Sequence, residues 1–322
     1  MYTKISVVLA SYNGERFIEE QLESIASQST PPDEVIIKDD ASTDSTAQKV
    51  RDFIEKNSLP GWRIEVNSEN RGWKRGFRDL IEEASGDLIF LSDQDDIWKP
   101  DKIKHMRKAM ESDPRIIVLS SNYEPLYMSP SAPQMNRFYT DPYGSGHIEK
   151  VKMDRLWLET RRSGAAMCLN SGMKELFLSS WSEGFAHDRL LQGMGTAFGG
   201  FYILNEVLSL HRVHDSNNTP SNEHARKVRM GILKEYVEIS ERILSLDPEQ
   251  IKDPGANISP QDEFVKNIDL MNKMNRFWKK RTEAMKSGNP FRFAGLVGSL
   301  GLYPKLSSFG ADVISTCKGR KE

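Results

Sequence analysis

The residues best equipped for chemistry form one short run. Leu88-Ile89-Phe90-Leu91, apolar and β-prone, leads directly into Ser92-Asp93-Gln94-Asp95-Asp96. Three carboxylates within four positions repel one another, and a chain carries that cost where a cation or a positive partner offsets it. A hard divalent cation suits oxygen ligands. Mg²⁺ or Mn²⁺ held by a few protein carboxylates keeps coordination positions open for phosphate oxygens and water. An EF-hand calcium loop is excluded, because the sixth residue counted from Asp93 is Trp98 rather than Gly and the twelfth is Lys104 rather than Glu. The bland alternative is a solvated turn whose aspartates cap a helix.

A second acidic turn, Asp39-Asp40-Ala41-Ser42-Thr43-Asp44, follows the apolar run Val35 to Ile37. Ser42, Thr43 or Asp44 suits the cap of the next helix, whereas Asp40 at a strand end is a candidate acceptor for the imide N–H of a pyrimidine. Tyr12, just past the first apolar run, offers a face on which a base can stack, although a buried strand-end tyrosine is the commoner case. Ala10-Ser11-Tyr12-Asn13-Gly14-Glu15 contains one glycine, and no Gly-Lys-Ser/Thr loop occurs, so dinucleotide and P-loop chemistry lose support.

These clusters need elements to position them. Short β-rich runs at 5–9, 35–37, 64–66, 88–91 and 116–119 alternate with helical periods carrying Ile18, Leu22 and Ile25, then Val50, Phe53 and Ile54, then Phe77 to Ala84, with a further helix after Pro100. Such alternation predicts an α/β fold with a doubly wound, mostly parallel sheet whose ligands bind beyond the carboxyl ends of the strands, where all three polar clusters fall. From Glu124 to His147 the composition turns to Pro, Tyr, Ser and Gly, predicting a long loop. Regular structure is expected again at 156–158, 165–169, a helix from about Asp188, and two strands at 202–204 and 207–210. After Asn218, Ile232, Tyr236, Ile239 and Ile243, then Phe264, Ile268, Met271 and Trp278, step at helical spacing. The expected division is therefore a catalytic domain over 1–218 and a helical C-terminal region over 219–322.

Composition limits the partners. The 322 residues include 44 basic and 46 acidic ones, a formal charge of −2, and this balance argues against nucleic acid. Two distant cysteines, Cys168 and Cys317, build neither a disulfide framework nor a zinc site. With no basic leader at Met1 and no apolar window of about 18 residues, the expected location is cytoplasmic. The basic and aromatic tail, from Lys279-Lys280-Arg281 through Phe291, Phe293 and Tyr303, is a candidate for peripheral contact with the inner membrane face, against the plainer reading of helices packed on the main domain.

Taken in order, the motifs resemble those of the family 2 glycosyltransferases, inverting enzymes of the GT-A fold that use nucleotide-sugar donors. Ser6-Val7-Val8-Leu9-Ala10-Ser11-Tyr12-Asn13-Gly14 is similar to the family's opening strand and nucleotide loop, Lys38 to Asp44 to its second motif, and Phe90 to Lys102 to its metal-binding segment. The resemblance spans roughly residues 4 to 218. It implies that Ala10, Ser11, Tyr12, Asn13 and Asp40 hold the nucleoside, that Asp93 and Asp95 form the DxD pair beside Gln94, and that Asp96 supports the metal or the sugar. Arg71, Gly72 and Lys74 lie where the family places residues near the base and diphosphate. Asp188 corresponds to the catalytic base, although His187 stands where the family usually has Glu. Ser163, Gly164, Ala165 and Ala166 resemble the segment lining the sugar and acceptor, and Arg212, His214 and Asn217 an Arg-x-His-x-x-Asn element closing over the diphosphate, with His214 beside the metal.

The implied activity is transfer of a sugar from a UDP- or dTDP-linked donor to a hydroxyl of a saccharide or lipid-linked saccharide, in the manner of enzymes building O-antigen, capsule or cell wall, rhamnosyltransferases among them. Two alternatives stay open. A haloacid-dehalogenase-like phosphatase also places Asp-x-Asp after a strand, as Asp93 and Asp95 could, but leaves the Tyr12 and Asp40 loops without a task. A non-catalytic nucleotide- or glycan-binding protein would retain the fold without turnover.

Overall fold

The apolar runs near the N-terminus are unbroken rather than alternating, which suits strands covered on both faces. The computed structural model describes residues 4–129, 132, 145–214, 226–247 and 260–318. In it these runs become β1 (Ile5–Ser11), β2 (Glu34–Asp39), β3 (Trp62–Val66) and β4 (Leu88–Asp93), separated by α1 (Ile18–Ala26), α2 (Thr46–Lys56) and α3 (Trp73–Glu83). Then come β5 (Ile97–Trp98), α4 (Lys102–Ser112), β6 (Val118–Tyr127), β7 (Ile148–Lys150), β8 (Met167–Asn170), α5 (Ser171–Ser180), α6 (His187–Ala197) and β9 (Phe201–Val213). The C-terminal region is helical: α7 (Arg226–Leu244), α8 (Pro260–Lys286), a 3-10 segment at Pro290–Leu302 and α9 (Leu306–Lys318).

The described strands form one sheet in the order β3-β2-β1-β4-β8-β6-β9-β5, with β7 on β9. Pairing is parallel among β3, β2, β1 and β4 and between β6 and β9; the short β5, β7 and β8 join antiparallel. Because β2 and β3 lie on one flank of β1 and β4 on the other, the chain reverses direction across the sheet at β1, which opens a crevice at the carboxyl ends of the strands.

The two-residue period of each strand divides the core. Ile5, Val7 and Leu9, Val35 and Ile37, and Leu88 and Phe90 face one apolar cluster, while Val8, Ile36, Ile89 and Leu91 face the other. The second cluster also takes Phe77, Leu80, Ile81 and Ala84 of α3, spaced for a single helix face, and Leu190, Leu191 and Met194 of α6. Asp93 follows Ile89 and Leu91 in phase, so it ends on the face that α6 covers. Residues of α7 and α8 belong to that same cluster, where Trp278 lies 6.1 Å from Trp157 and Phe264 stacks on Phe198 at 4.9 Å.

Four details differ from the sequence reading. The strand expected at 116–119 runs on as β6 to Tyr127, so the expected loop starts later, and most of 128–147 lies outside the described residues. The two strands expected at 202–204 and 207–210 are one, β9. Asn205-Glu206 reads as a break, but Asn205 is buried with its backbone bonded to Gly146 and His147, and an irregularity at Ser121 to Tyr123 of β6 absorbs the offset. Residues 156–158 form turns, and α5 carries too weak an apolar period to announce itself.

Candidate active site

Register brings the polar loops together. Ala10 is paired with Asp93 across β1 and β4, and Ser11 with Asp39 across β1 and β2, so the loops after three strands leave the sheet side by side. Asp39 ties two of them: it is fully buried and accepts from Ser11 Oγ (3.0 Å), Ser42 N (2.9 Å) and Ser42 Oγ (2.6 Å). Asn13 completes the bridge by donating its N–H to Ser42 Oγ and accepting from Thr43 N. Asn13 (φ 47°) and Ala41 (φ 62°) both adopt the left-handed conformation, a local strain held by these bonds.

Gln94 joins the third loop to the first. Its Oε1 accepts from Tyr12 N at 2.8 Å and its Nε2 donates to Tyr12 O at 3.0 Å, a two-point grip on the Tyr12 backbone. The Tyr12 ring itself is 45% exposed on the rim of the crevice, not buried as strand-end tyrosines commonly are. Asp40, nearly buried, accepts from Asn67 Nδ2 (2.8 Å), Arg71 N (2.9 Å) and Gly72 N (2.7 Å). A carboxylate offers about four acceptor directions, so about one remains for a nucleobase. Gly72 has φ 82°, a conformation that favours glycine and that aims its N–H at Asp40.

The acidic knot is gripped by the end of β9. Asp96, 2% exposed, pairs with His211 Nδ1 at 2.8 Å; Asp95 Oδ2 lies 2.9 Å from His214 Nε2, and Arg212 Nε donates to the Asp95 carbonyl at 2.9 Å. Burial first, then the Asp96 and Asp95 charges, push the Asp93 carboxyl well above the ordinary carboxylate range, with a further push from Asp188 and His211 opposing. His211, though desolvated, is raised by Asp96. Below the knot lies Lys102, fully buried, with Nζ donating to Ala165 O at 2.8 Å and 4.0 Å from the centre of the Trp98 ring. Burial brings its ammonium down to about 7 against the pull of Asp96.

Asp188 stands in the first turn of α6, and its Oδ1 accepts from Arg189 N at 2.7 Å. Beside it His187 is buried, its ring 3.9 Å from that of Phe77, and neither ring nitrogen has a hydrogen-bond partner. Burial drops its pKa to about 4, so the ring is neutral at ordinary pH. A Cβ on Gly164 would fall 2.2 Å from His187 Nε2; the glycine exists to let the ring pack against the 163–166 turn.

The Arg71 guanidinium pairs with Asp79 at 3.1 Å while its backbone N–H holds Asp40, and Lys74 donates to Gly184 O near Glu235, at the entry to α6. Arg212 is 4% exposed, bonded to Glu20 Oε2 at 2.5 Å and 4.6 Å over the Phe17 ring, which makes it a brace for the Asp95 loop. Asn217 lies outside the described residues. The sequence reading missed His211 and Glu20, and it took in Lys102 only as the last residue of the metal-binding segment. His211 had a signal, since it adjoins Arg212 and an acidic cluster needs cations.

The family model for glycosyl transferase family 2 matches residues 6–177, more than half of the chain. A dTDP-rhamnosyl transferase of Shigella flexneri, RfbG, is 41% identical over 248 residues, spanning 70% of this chain and 79% of that protein. The chain belongs to glycosyl transferase family 2. Other relatives are matched over shorter stretches: a putative teichuronic acid biosynthesis glycosyltransferase of Bacillus subtilis, TuaG, is 36% identical over 108 residues, 33% of this chain and 41% of its own length. For the poly(ribitol-phosphate) β-N-acetylglucosaminyltransferase TarS of Staphylococcus aureus, at 35% identity, the match covers 31% of this chain and only 18% of that protein. The crystal structure of TarS residues 1–349 with UDP superposes with a TM-score of 0.56 at 17% identity, over 99% of this chain and 82% of that one, which establishes the GT-A fold. Family membership sets aside the phosphatase alternative.

A family 2 transferase invites a test of the residues for a metal. Among the described residues no three His, Cys, Asp or Glu side chains form a cage for an ion. A cage is not required: Mg²⁺ is commonly held by one or two carboxylates with substrate phosphates completing its shell. Asp93 and Asp95, with His214 adjoining Asp95, fit that mode, and a cation there would offset the mutual repulsion of Asp93, Asp95 and Asp96.

Proposed function

We propose that this chain is an inverting, metal-dependent glycosyltransferase that moves a sugar from a nucleoside-diphosphate donor to a saccharide hydroxyl, free or lipid-linked, in bacterial surface-polysaccharide synthesis. One observation supports the reading: Asp188 stands in the first turn of α6, whose Leu190, Leu191 and Met194 share an apolar cluster with Ile89 and Leu91 of β4, the strand that ends at Asp93. The Tyr12 face and the remaining acceptor direction of Asp40 suit a pyrimidine. RfbG's name supports dTDP-rhamnose as donor, and the UDP held by TarS supports a uridine donor.

Mg²⁺ or Mn²⁺, when bound at Asp93 and Asp95, supplies positive charge to the departing diphosphate. The chain does the rest. Asp188 takes the proton of the acceptor hydroxyl, whose oxygen bonds to the anomeric carbon as the bond to the diphosphate oxygen breaks and its electron pair leaves with that oxygen. Attack from the face opposite the leaving group inverts the anomeric centre. The neutral His187, packed on Phe77, fixes the start of α6 without competing for the proton. Asp188→Asn should keep donor affinity, measured by calorimetry with Mn²⁺, and lower transfer by about 10²- to 10⁴-fold, the range of a general base. Turnover close to wild type would remove Asp188 from the mechanism.

A further inference from the structure

The C-terminal elements carry apolar side chains on the outside as well as on the inside. On α9, Asp312 and Thr316 are fully buried, Asp312 bonded to Arg229 Nη2 and Arg281 Nε, each at 2.6 Å, whereas Leu306 is 71% and Ile314 56% exposed, with Cys317 also outside. Residues 306, 310, 314 and 317 fall on one helix face. The inward face carries Phe309 and Val313, packed on the core, beside the buried Asp312 and Thr316, and the face turned away is apolar as well, which contact with water alone does not select.

The preceding 3-10 segment repeats the pattern at its own period of three. Phe293 and Leu296 point inward, at 1% and 2% exposure, while Phe291 and Val297, on the row 291-294-297, are 84% and 54% exposed. The adjoining row is Arg292, Gly295, Gly298 and Gly301. A Cβ on any of these glycines, or on Gly310, would meet nothing within 4 Å, and none has a positive φ. Neither packing nor backbone conformation inside the molecule demands glycine there. Bare backbone beside an exposed apolar row suits close approach to something outside.

Charge selects the occupant. Between Glu283 and Asp312 the charged residues are Lys286, Arg292 and Lys305, all positive. A two-fold contact with a second copy would set like charges against each other. An anionic lipid surface attracts these charges and accepts the apolar side chains between its headgroups. No described helix is long and apolar enough to cross a membrane, so the contact is with one leaflet. We infer that the 3-10 segment and α9 form a docking surface for an anionic membrane, with Phe291, Val297, Leu306 and Ile314 as the inserted residues.

The inference does not depend on the catalytic reading, and the test separates them. The full chain is sedimented with phosphatidylglycerol vesicles and, separately, phosphatidylcholine vesicles. Binding to the first, weak binding to the second and release by high salt are expected. The double variant Phe291→Ser/Leu306→Ser should lower partition by about a hundredfold, since each apolar side chain withdrawn from water is worth about tenfold or more. Arg292→Glu/Lys305→Glu should abolish the preference for the anionic lipid. All four positions are exposed, so an unchanged thermal midpoint and nucleoside diphosphate affinity are expected in both variants. Absent binding to either vesicle, equal binding to both, or undiminished binding by the first variant would overturn the inference. So would a concentration-dependent dimer in light scattering that the first variant abolishes, which would assign the surface to a second copy.

Discussion

Replacing Gly14 by alanine tests whether the grip of Gln94 on Tyr12 holds the nucleotide loop in shape. An added Cβ would lie 2.1 Å from Gln94 Oε1 and 2.4 Å from its Cδ. Gly14 is not in the left-handed region, so the substitution costs nothing in backbone strain. The clash is with the end of a flexible side chain, which can swing away. What is then lost is the pair of hydrogen bonds to Tyr12 N and O, at 2.8 and 3.0 Å. At about 1 kcal/mol each, the loss is about 2 kcal/mol, or roughly thirtyfold in donor affinity if the loop must be ordered for binding. Gln94→Ala should cost the same for the same reason. In the double variant the new Cβ has room, so the cost stays at about 2 kcal/mol instead of rising to about 4. Calorimetric titration of UDP and dTDP in the presence of Mn²⁺ reads the four corners of this cycle, and urea unfolding supplies the parallel stability values. Additivity to within about 0.5 kcal/mol would refute the reasoning, because it would mean that Gly14 and Gln94 act independently.

Two further outcomes are expected. Asp95→Ala should weaken donor binding by at least about tenfold with Mn²⁺ present and leave it unchanged in chelator, read by calorimetry; equal weakening in both would contradict metal ligation. His187 has a folded-state pKa lowered from 6.5 to about 4 by burial, so the unfolded chain takes up a proton that the folded one refuses as pH falls through that window. Its contribution is fully present above pH 6.5 and falls away by up to about 3 kcal/mol toward pH 4. Urea unfolding of wild type and His187→Gln at pH 7, 5.5 and 4.5 should show the gap between them shifting in the variant's favour as pH falls, and parallel curves would exclude this residue as the source.

Much of the fold was readable because its signals are local. Unbroken apolar runs ending in Ser11, Asp39 and Asp93 mark buried strands and the edge where ligands meet, and register then sets Ala10 against Asp93 and Ser11 against Asp39. Less of the site was readable. Arg71 and Lys74 carry the right charges at plausible positions, yet Asp79 and the Gly184–Glu235 entry to α6 hold them. Arg212 looked like a diphosphate clamp and is braced between Glu20 and the Asp95 carbonyl. A side chain several bonds long finds its partner by proximity in space, which charge and spacing along the chain do not report.

The sequence alone determined the strand-end carboxylates, their place in a wound sheet, the helical C-terminal region and the resemblance to a transferase family, because apolar periodicity and residue type act over a few neighbouring positions. Tertiary structure alone decided that His211 meets Asp96 and that Arg212 braces the Asp95 carbonyl, more than a hundred residues earlier in the chain. It also decided that Gln94 holds Tyr12, that His187 is dry and neutral, and that α9 turns Asp312 inward onto Arg229 and Arg281. Each of these rests on a crossover or a packing angle that brings distant segments into contact, and the free energy of such a contact exists only once the sheet has formed.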